Sequence, residues 1–233
     1  MASPIAITVP VDDGTTTARL YTAGGSRAGV TLVLAHGAGA PQTHPFMVAC
    51  AEGLAARGID IATFNFLYTE RGRRLPDRLP ALERCYRAVI ATVMAEPFCA
   101  GNRLFIGGKS MGGRVASHLA AAGDELAARL SGLVLLGYPL HPPGKPEALR
   151  VAHLSAIQVP VLIVQGERDP FGSPLELAPH FGQVPGAVSV RAVAQGDHSL
   201  VTPKRGNPPR DAVMAGVYDA IAVWLQGRAV PAR

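Results

Sequence analysis

Short apolar runs rich in valine, isoleucine and leucine recur along the chain, and segments with helical spacing separate them. Continuous apolar runs of this length are typical of strands that are buried on both faces of a parallel sheet. The predicted strands are Val30–Ala35, Ile59–Phe64, Leu104–Ile106, Gly132–Leu136, Val161–Val164 and Val188–Val193.

The intervening segments carry apolar side chains every three or four residues, the spacing that gives an α-helix one hydrophobic face. Leu79–Val93 and Met111–Ala122 follow this spacing, and a final helix is predicted from near Pro208 and Pro209 to Gly227. Strands that alternate with helices predict an α/β fold with a doubly wound, mostly parallel sheet.

The N-terminal residues follow a different pattern. Ile5–Val9 and Ala18–Tyr21 flank an Asp-Asp-Gly turn signal at 12–14, which predicts an antiparallel hairpin at one edge of the sheet. The chain shows no long polar linker and no internal repeat, so residues 1–233 are predicted to form one domain. The proline-rich segment 137–160 is too short for a lid domain, and one short helix with a rigid turn is expected there.

Composition narrows the class of protein. Hydrophobic residues make up 48% of the 233 residues and charged residues 17%, the reverse of a disordered chain. The three cysteines match no metal-binding pattern and are expected to be reduced thiols. The N-terminus lacks the pattern of a signal peptide, and no apolar run is long enough to cross a bilayer. A cytoplasmic protein with no membrane association and no cofactor is predicted.

The net charge of +5 raises the question of an anionic partner. Four arginines lie close together, but acidic residues stand beside them, which favours a solvated or salt-bridged loop over a nucleic-acid surface. We therefore expect no nucleic-acid partner, and a monomer or a weak homo-oligomer. The four residues of this Arg71–Arg78 cluster are Arg71, Arg73, Arg74 and Arg78.

The segment that carries chemistry is the G-x-S-x-G motif at Gly108–Gly112, with Ser110 at its centre. It lies directly between a predicted strand and a predicted helix, which is the context in which a sharp turn lifts the serine above the carboxyl end of the sheet. The start of the helix then offers the backbone N–H of Met111 to a developing oxyanion. The pattern predicts a nucleophilic serine.

Other interpretations of the glycine-rich segments fit less well. A phosphate-binding P-loop would need glycine where Arg103 stands, and a dinucleotide fingerprint would need its third glycine where Gln42 stands. A glycine-rich packing turn with an incidental serine remains an alternative, but it does not explain the strand and helix around the motif.

A nucleophilic serine needs a base, and the base needs an acid that orients it. In this architecture the chain order is serine, acid, histidine. Asp169 follows the strand Val161–Val164, and His198 follows the strand Val188–Val193. Because the carboxyl ends of parallel strands share one sheet edge, these side chains are predicted to meet Ser110.

Neighbouring residues offer alternatives for both roles. Glu167 is the second candidate for the acid, but it stands earlier in the turn. Asp197 is too close to the histidine in sequence and is interpreted as a residue that orders the loop. His180 lies in a helix-like stretch, and His36 is expected to fix its own loop through hydrogen bonds.

The loop after the strand Val30–Ala35 consists of small residues that can approach a substrate carbonyl closely, and Ala38 is predicted to give the second oxyanion N–H. His44 and Phe46 follow and are predicted to line the acyl pocket, although either could pack at a helix start instead. Tyr68 and Tyr138 complete the predicted substrate-binding set.

Together these segments resemble the α/β-hydrolase superfamily, in particular its small, lidless dienelactone-hydrolase-like branch, which includes the testis-expressed hydrolase-like proteins. The resemblance implies a triad of Ser110, Asp169 and His198. Dienelactone hydrolases themselves use a cysteine nucleophile, so their substrate does not transfer to this chain. The matching segments are Leu34–Pro41, Asn65–Tyr68, Gly107–Gly113, Gln165–Gly172 and Gly196–Ser199.

The predicted function is a serine hydrolase that acts on small or short-chain acyl esters through an acyl-enzyme. A thioesterase, an amidase or peptidase with the same triad, and a non-catalytic interaction module are the alternatives. Lys109, beside the predicted nucleophile, either points into solvent or favours an anionic substrate.

Overall fold

The computed structural model describes residues 3–203 and 208–227, and eight strands in them form one sheet. These strands are β1 (Ile5–Val11), β2 (Gly14–Tyr21), β3 (Val30–Ala35), β4 (Asp60–Phe64), β5 (Arg103–Lys109), β6 (Leu130–Leu136), β7 (Val161–Gly166) and β8 (Val188–Val193). Their order across the sheet is β1-β2-β4-β3-β5-β6-β7-β8.

The hairpin β1–β2 is antiparallel and joins the sheet by an antiparallel pairing of β2 with β4. The remaining neighbours, from β4 across to β8, all pair in parallel. The predicted fold class is therefore confirmed: a doubly wound, mostly parallel sheet with an antiparallel N-terminal hairpin at its edge.

Helices cover both faces of the sheet. They are α1 (Pro45–Ala55), α2 (Leu67–Glu70), α3 (Leu79–Met94), α4 (Met111–Ala120), α5 (Glu125–Arg129), α6 (Pro174–Phe181) and α7 (Arg210–Gly227), with short 3-10 helices at Pro97–Cys99 and Leu154–Ala156.

Two apolar cores form between the sheet and these helices, because successive side chains of a strand point to opposite faces. On β3, Val33 and Ala35 join the core under α3, α4 and α6. Leu32 and Leu34 join the core under α1 and α7. Burial of both faces explains why β3 is apolar along its whole length.

The segment 137–160 between β6 and β7 is described in full and contains only the 3-10 helix Leu154–Ala156. It forms no lid domain, as its length and prolines predicted. None of the helices in the described residues combines the length and the apolar character needed to cross a bilayer.

Candidate active site

Ser110 stands at the tight turn between β5 and α4, above the carboxyl end of the sheet. Its backbone has φ +50° and ψ −115°, a conformation that L residues adopt at a cost of roughly 1–3 kcal/mol. The Ser110 N–H donates a hydrogen bond to the carbonyl of Leu136 at 3.0 Å, which ties the turn to β6. This hydrogen bond helps to stabilise the strained turn, and the turn places the Ser110 hydroxyl at the carboxyl end of the sheet.

The glycines of the motif are required by close backbone packing. A Cβ on Gly108 would lie 2.4 Å from the carbonyl carbon of Gly112, and a Cβ on Gly112 would lie 2.5 Å from the carbonyl oxygen of Ala35. Real Cβ atoms do not approach other atoms so closely. The turn therefore brings β5, α4 and the end of β3 together, which places the loop after β3 next to Ser110.

The structure brings Ser110, His198 and Asp169 together in one hydrogen-bonded row. Ser110 Oγ lies 2.8 Å from His198 Nε2, and His198 Nδ1 lies 2.8 Å from Asp169 Oδ2. The Asp169 side chain is fully buried, whereas 21% of the His198 side chain is exposed. A carboxylate can only accept, so His198 carries its proton on Nδ1 and its Nε2 lone pair faces the Ser110 hydroxyl.

Asp169 is held by two further donors. The side-chain amide of Gln165 donates to Asp169 Oδ2 at 2.9 Å, and the N–H of Phe171 donates to Oδ1 at 2.8 Å. Gln165 is itself anchored, because its Oε1 accepts a hydrogen bond from Tyr138 N–H. Sequence reasoning missed Gln165. The signal was present: it is the polar residue in the buried, otherwise apolar run of β7.

The loop of His198 is ordered by its neighbour. Asp197 Oδ1 accepts hydrogen bonds from the N–H groups of Ser199, at 2.8 Å, and Val201, at 2.9 Å. The second candidate for the acid, Glu167, is engaged elsewhere, since its carboxylate accepts a hydrogen bond from Gln195 N–H at 3.0 Å. The packing of the Phe171 ring against the imidazole of His198, with centroids 4.2 Å apart, also fixes its position.

The loop after β3 is fixed by His36, as its sequence context suggested. His36 is buried, its Nε2 accepts a hydrogen bond from Phe66 N–H at 3.1 Å, and its Nδ1 lies 2.7 Å from the carbonyl of Gly37. Burial lowers the pKa of His36, so the imidazole is neutral and occupied in bonding. His36 is a positioning residue for the loop that carries Ala38.

Ala38 and Met111, the predicted oxyanion donors, both lie in the wall of the cavity that contains Ser110. Met111 is the first residue of α4, so its N–H has no partner within the helix. The loop of Ala38 lies close by, since a Cβ on Gly37 would be 3.6 Å from the Cβ of Ser110. Both residues are placed beside the serine.

The cavity above Ser110 has a volume of about 760 Å³, and His44 and Phe46 line it as predicted. His44 also caps α1, because its Nδ1 accepts a hydrogen bond from Phe46 N–H at 3.2 Å. The two interpretations left open by the sequence, a pocket residue and a helix-start residue, therefore both apply to His44.

Tyr68 and Tyr138 are not among the residues that line the cavity, which corrects the sequence prediction. Both side chains are almost completely buried in the core. The Tyr138 ring packs edge-on against Phe181, and its hydroxyl donates to the carbonyl of Arg150 at 2.7 Å. Tyr68 lies parallel to the ring of Phe66. Their aromatic character is used for packing, which residue type alone did not distinguish from substrate contact.

Lys109 also lines the cavity, so it does not simply point into solvent. Burial lowers the pKa of its ammonium to about 8, although the negative charges of Asp169 and Asp197 act in the opposite direction. Within the residues that the structure describes, no group of three or more His, Cys, Asp or Glu is arranged to hold a metal ion.

The Arg71–Arg78 cluster is partly paired, as the neighbouring acids suggested. Arg73 forms an ion pair with Asp77, four residues along the chain. Arg71 donates a hydrogen bond to the carbonyl of Asp13 in the β1–β2 turn. These contacts tie the loop before α3 together and to the hairpin.

Solved structures with the same fold cover almost all of this chain. Est1E of Butyrivibrio proteoclasticus, solved with ferulic acid, superposes with a TM-score of 0.76 at 14% identity, over 95% of this chain and 100% of that one. Dienelactone hydrolase of Anabaena variabilis gives 0.74 at 17% identity, over 96% and 97% of the two chains. A lidless α/β serine hydrolase of Xanthomonas campestris gives 0.72 at 18% identity, over 100% and 98%.

These structural similarities show the fold. Similarity in sequence shows the family. A family model described as an alpha/beta hydrolase domain matches residues 28–226, from the start of β3 to the end of α7. That match covers most of the chain, including the serine turn and the loops that carry Asp169 and His198. The protein belongs to the alpha/beta hydrolase domain family.

Proposed function

We propose that the protein is a serine carboxylesterase that hydrolyses small or short-chain acyl esters through an acyl-enzyme. The observation that carries this proposal is the row Ser110–His198–Asp169, with both hydrogen bonds at 2.8 Å, in which Ser110 and His198 line the cavity. A serine hydroxyl becomes a nucleophile only with a base whose lone pair faces it, and this row provides that lone pair.

In the proposed reaction, Ser110 Oγ attacks the ester carbonyl while its proton passes to His198 Nε2. The buried Asp169 carboxylate stabilises the imidazolium that forms. Collapse of the tetrahedral intermediate breaks the bond to the leaving alcohol, which takes the proton from His198. A water molecule then repeats the two steps on the acyl-enzyme, which releases the acid and restores Ser110.

The N–H groups of Met111 and Ala38 are proposed to bind the oxygen that becomes negative in each intermediate. Donors that are already in place stabilise this charge without reorganising, and loss of one costs about 10²–10³ in kcat in other hydrolases. Both donors are backbone groups, so side-chain substitution leaves them intact. The glycines packed around the turn determine their position.

One observation supports an ester over an amide or a thioester, and another supports a small substrate. Among the solved structures with this fold is an esterase domain from Rhodothermus marinus, beside the Est1E structure with ferulic acid. The cavity of about 760 Å³ has no lid domain over it, and its size suits a small substrate.

Labelling with a fluorophosphonate probe tests the nucleophile directly. We expect the wild-type protein to be labelled at Ser110 and the Ser110→Ala variant to lose labelling with its fold unchanged by circular dichroism. The matched control is Ser199→Ala, because Ser199 also lines the cavity but stands outside the hydrogen-bonded row. Labelling that persists in Ser110→Ala contradicts the proposal.

Substrate panels then separate the chemical classes. A chain-length series of p-nitrophenyl esters is compared with the matching thioesters and peptide amides, each with Ser110→Ala as the blank. We expect the highest kcat/KM with acyl chains of a few carbons among the oxygen esters. A labelled protein that hydrolyses only amides or only thioesters would overturn the ester assignment, and an unlabelled, inactive protein would favour an interaction module.

A further inference from the structure

Three arginines line the cavity that contains Ser110, and one of them, Arg210, is exposed at the start of α7. The other two, Arg114 and Arg150, are partly buried. Arg114 lies one helical turn beyond the serine, where its N–H donates to the carbonyl of Ser110 at 3.0 Å. Arg150 comes from the segment between β6 and β7, and its backbone is anchored by a hydrogen bond from its N–H to the carbonyl of Leu140 at 2.8 Å. The two guanidinium groups are therefore carried by separately anchored elements.

Neither guanidinium is neutralised by the protein. Within residues 3–203 and 208–227, no ion pair involves Arg114 or Arg150. Arg114 Nε is buried without a hydrogen-bond partner, and Arg150 Nη1 donates only a long hydrogen bond, of 3.3 Å, to the carbonyl of Pro139. Asp77, the acidic residue in the wall of this cavity, is already paired with Arg73.

The two positive charges also act on each other. The pKa of Arg150 is lowered by its burial and then by the charge of Arg114. Lys109 adds a further cation to the cavity wall, and its Nζ lies 3.0 Å from the position of a Cβ on Gly137, beside His198. Like charges that share a partly buried site raise the free energy of the folded protein unless an anion offsets them.

We infer that Arg114 and Arg150 form an anion subsite and that the substrate is an ester carrying a carboxylate which this subsite binds. The inference rests on the proposed esterase function and narrows its substrate class. A guanidinium presents a planar fork of N–H donors that matches a carboxylate in two parallel hydrogen bonds. Lys109, which also lines the cavity, adds positive potential near His198.

The position of the charge in the substrate is tested with two matched pairs of esters. Mono-p-nitrophenyl glutarate and neutral p-nitrophenyl valerate differ in the acyl part. 4-Carboxyphenyl butyrate and phenyl butyrate differ in the alcohol part. In at least one pair, wild-type protein is expected to show a kcat/KM about 10- to 100-fold higher for the anionic ester, the worth of hydrogen bonds to a charged group.

Variants test whether Arg114 and Arg150 cause the preference for the anionic ester. Arg114→Gln and Arg150→Gln are expected to lose most of the preference while the kcat/KM of the neutral ester stays within a few-fold. Arg150→Lys, which keeps the charge but not the fork, should recover part of it. The control is Arg191→Gln, an exposed arginine on β8 that is not part of the cavity wall.

A binding measurement separates failure of the inference from failure of the proposed function. Titration of the inactive Ser110→Ala protein with glutarate, inorganic phosphate and neutral glutaramide uses no turnover. Tighter binding of glutarate than of glutaramide, lost in the double variant Ser110→Ala/Arg150→Gln, supports the subsite. Tighter binding of phosphate than of glutarate overturns the carboxylate assignment. Neutral esters hydrolysed as well as anionic ones, with glutarate unbound, overturn the subsite and leave the esterase proposal standing.

Discussion

Two serine–histidine contacts of almost equal length lie within two turns of α4. Ser110 Oγ is 2.8 Å from His198 Nε2, and Ser117 Oγ is 2.7 Å from His153 Nε2. Distance alone does not distinguish them. The difference lies in the third group of each set, which decides in which direction the hydrogen bond runs.

At the first contact, the Asp169 carboxylate accepts a hydrogen bond from the Nδ1–H of His198, which leaves Nε2 free to accept from Ser110. At the second, the Ser117 hydroxyl also lies 2.7 Å from the carbonyl of Arg114, a group that can only accept. The single hydroxyl proton of Ser117 is therefore committed to that carbonyl, and His153 must donate from Nε2. A histidine that donates to a serine cannot act as its base.

The surroundings of the two serines also differ. The Ser110 side chain faces the cavity, whereas Ser117 is fully buried inside the core under α4. Among the described residues no carboxylate forms an ion pair with His153, which instead stacks on His118, with centroids 3.7 Å apart. A short contact between a serine and a histidine therefore does not by itself mark an active site. The acid Asp169 and the open cavity distinguish the first contact as a candidate site.

The largest effect on activity is expected from a variant that removes the acid of the first contact, Asp169. Asp169→Asn keeps the volume of the side chain but presents an amide that can donate to His198, which reverses the tautomer and makes the first contact resemble the second. We expect kcat for the best p-nitrophenyl ester to fall by about 10⁴, with KM little changed. Steady-state kinetics at pH 7.5 measures this loss.

The matched control for that variant is Glu167→Gln, in the same turn. Glu167 bonds to Gln195 N–H and is exposed, so its kcat should stay within a few-fold of the wild-type value. If Glu167→Gln lost as much activity as Asp169→Asn, Asp169 would no longer be distinguished as the acid. A fully active Asp169→Asn protein would contradict the assignment outright.

The second test concerns pH and the stacked histidines. Burial, with the positive charge of Arg114 behind it, lowers the pKa of His118 from 6.5 to about 4. The pKa of His153 is lowered to about 3, by burial first and then by His118 and Arg114. As pH falls below 6.5, the unfolded chain takes up protons that the folded protein does not. The free energy of unfolding should therefore decrease from about pH 6.5 to about pH 4.

For His118 alone this decrease is at most about 3 kcal/mol, from a pKa shift of 6.5 to about 4, because water screens the exposed part of the ring. The variant His118→Phe keeps a ring stacked on His153 but removes the titrating group, so its stability should fall less over this range. Urea unfolding of both proteins from pH 7.5 to 4 measures the difference between the curves, in which the contributions of groups other than His118 and its coupled neighbour His153 cancel. Parallel curves would show that His118 does not titrate in this way.

Much of this architecture could be predicted from the sequence. The bounds of β3 and β8 were correct. β3 is buried on both faces and has an unbroken apolar run, whereas β8 is a partly exposed edge strand whose first four residues, V-S-V-R, alternate between apolar and polar. The row of Ser110, Asp169 and His198 followed from the order of the motifs, since every parallel strand ends at the same edge of the sheet. These features depend on local pattern and on topology.

Other features depend on contacts that no local pattern encodes. Helix α1 was not predicted, since its residues are small and apolar with little polar face. Tyr68 and Tyr138 were predicted to bind substrate, yet the direction of each side chain is set by packing against Phe66 and Phe181.

The cationic wall of the cavity was the least predictable part. Arg114 is polar in a helix whose other face is buried, which is ordinary for a surface residue, and Arg150 stands in an irregular segment. The charge of +5 was visible, but a sum over the chain does not show where unpaired cations meet. Only the folded arrangement shows that Arg114 and Arg150 share the cavity with Ser110.

The smallest effect on activity is expected from a variant of the second serine, Ser117. Ser117→Ala removes the acceptor of His153 Nε2–H and the hydrogen bond to the Arg114 carbonyl, which should lower the free energy of unfolding by about 1–3 kcal/mol at pH 7.5. Fluorophosphonate labelling and kcat should stay within a few-fold of wild type, because the Ser117 proton is committed and the Ser117 side chain is fully buried. The decisive comparison is with Ser110→Ala, which should lose labelling at little cost in stability. If Ser117→Ala lost labelling while remaining folded, the direction of its hydrogen bond would be the reverse of that inferred here, and the equal lengths of the two contacts would reflect equal chemistry.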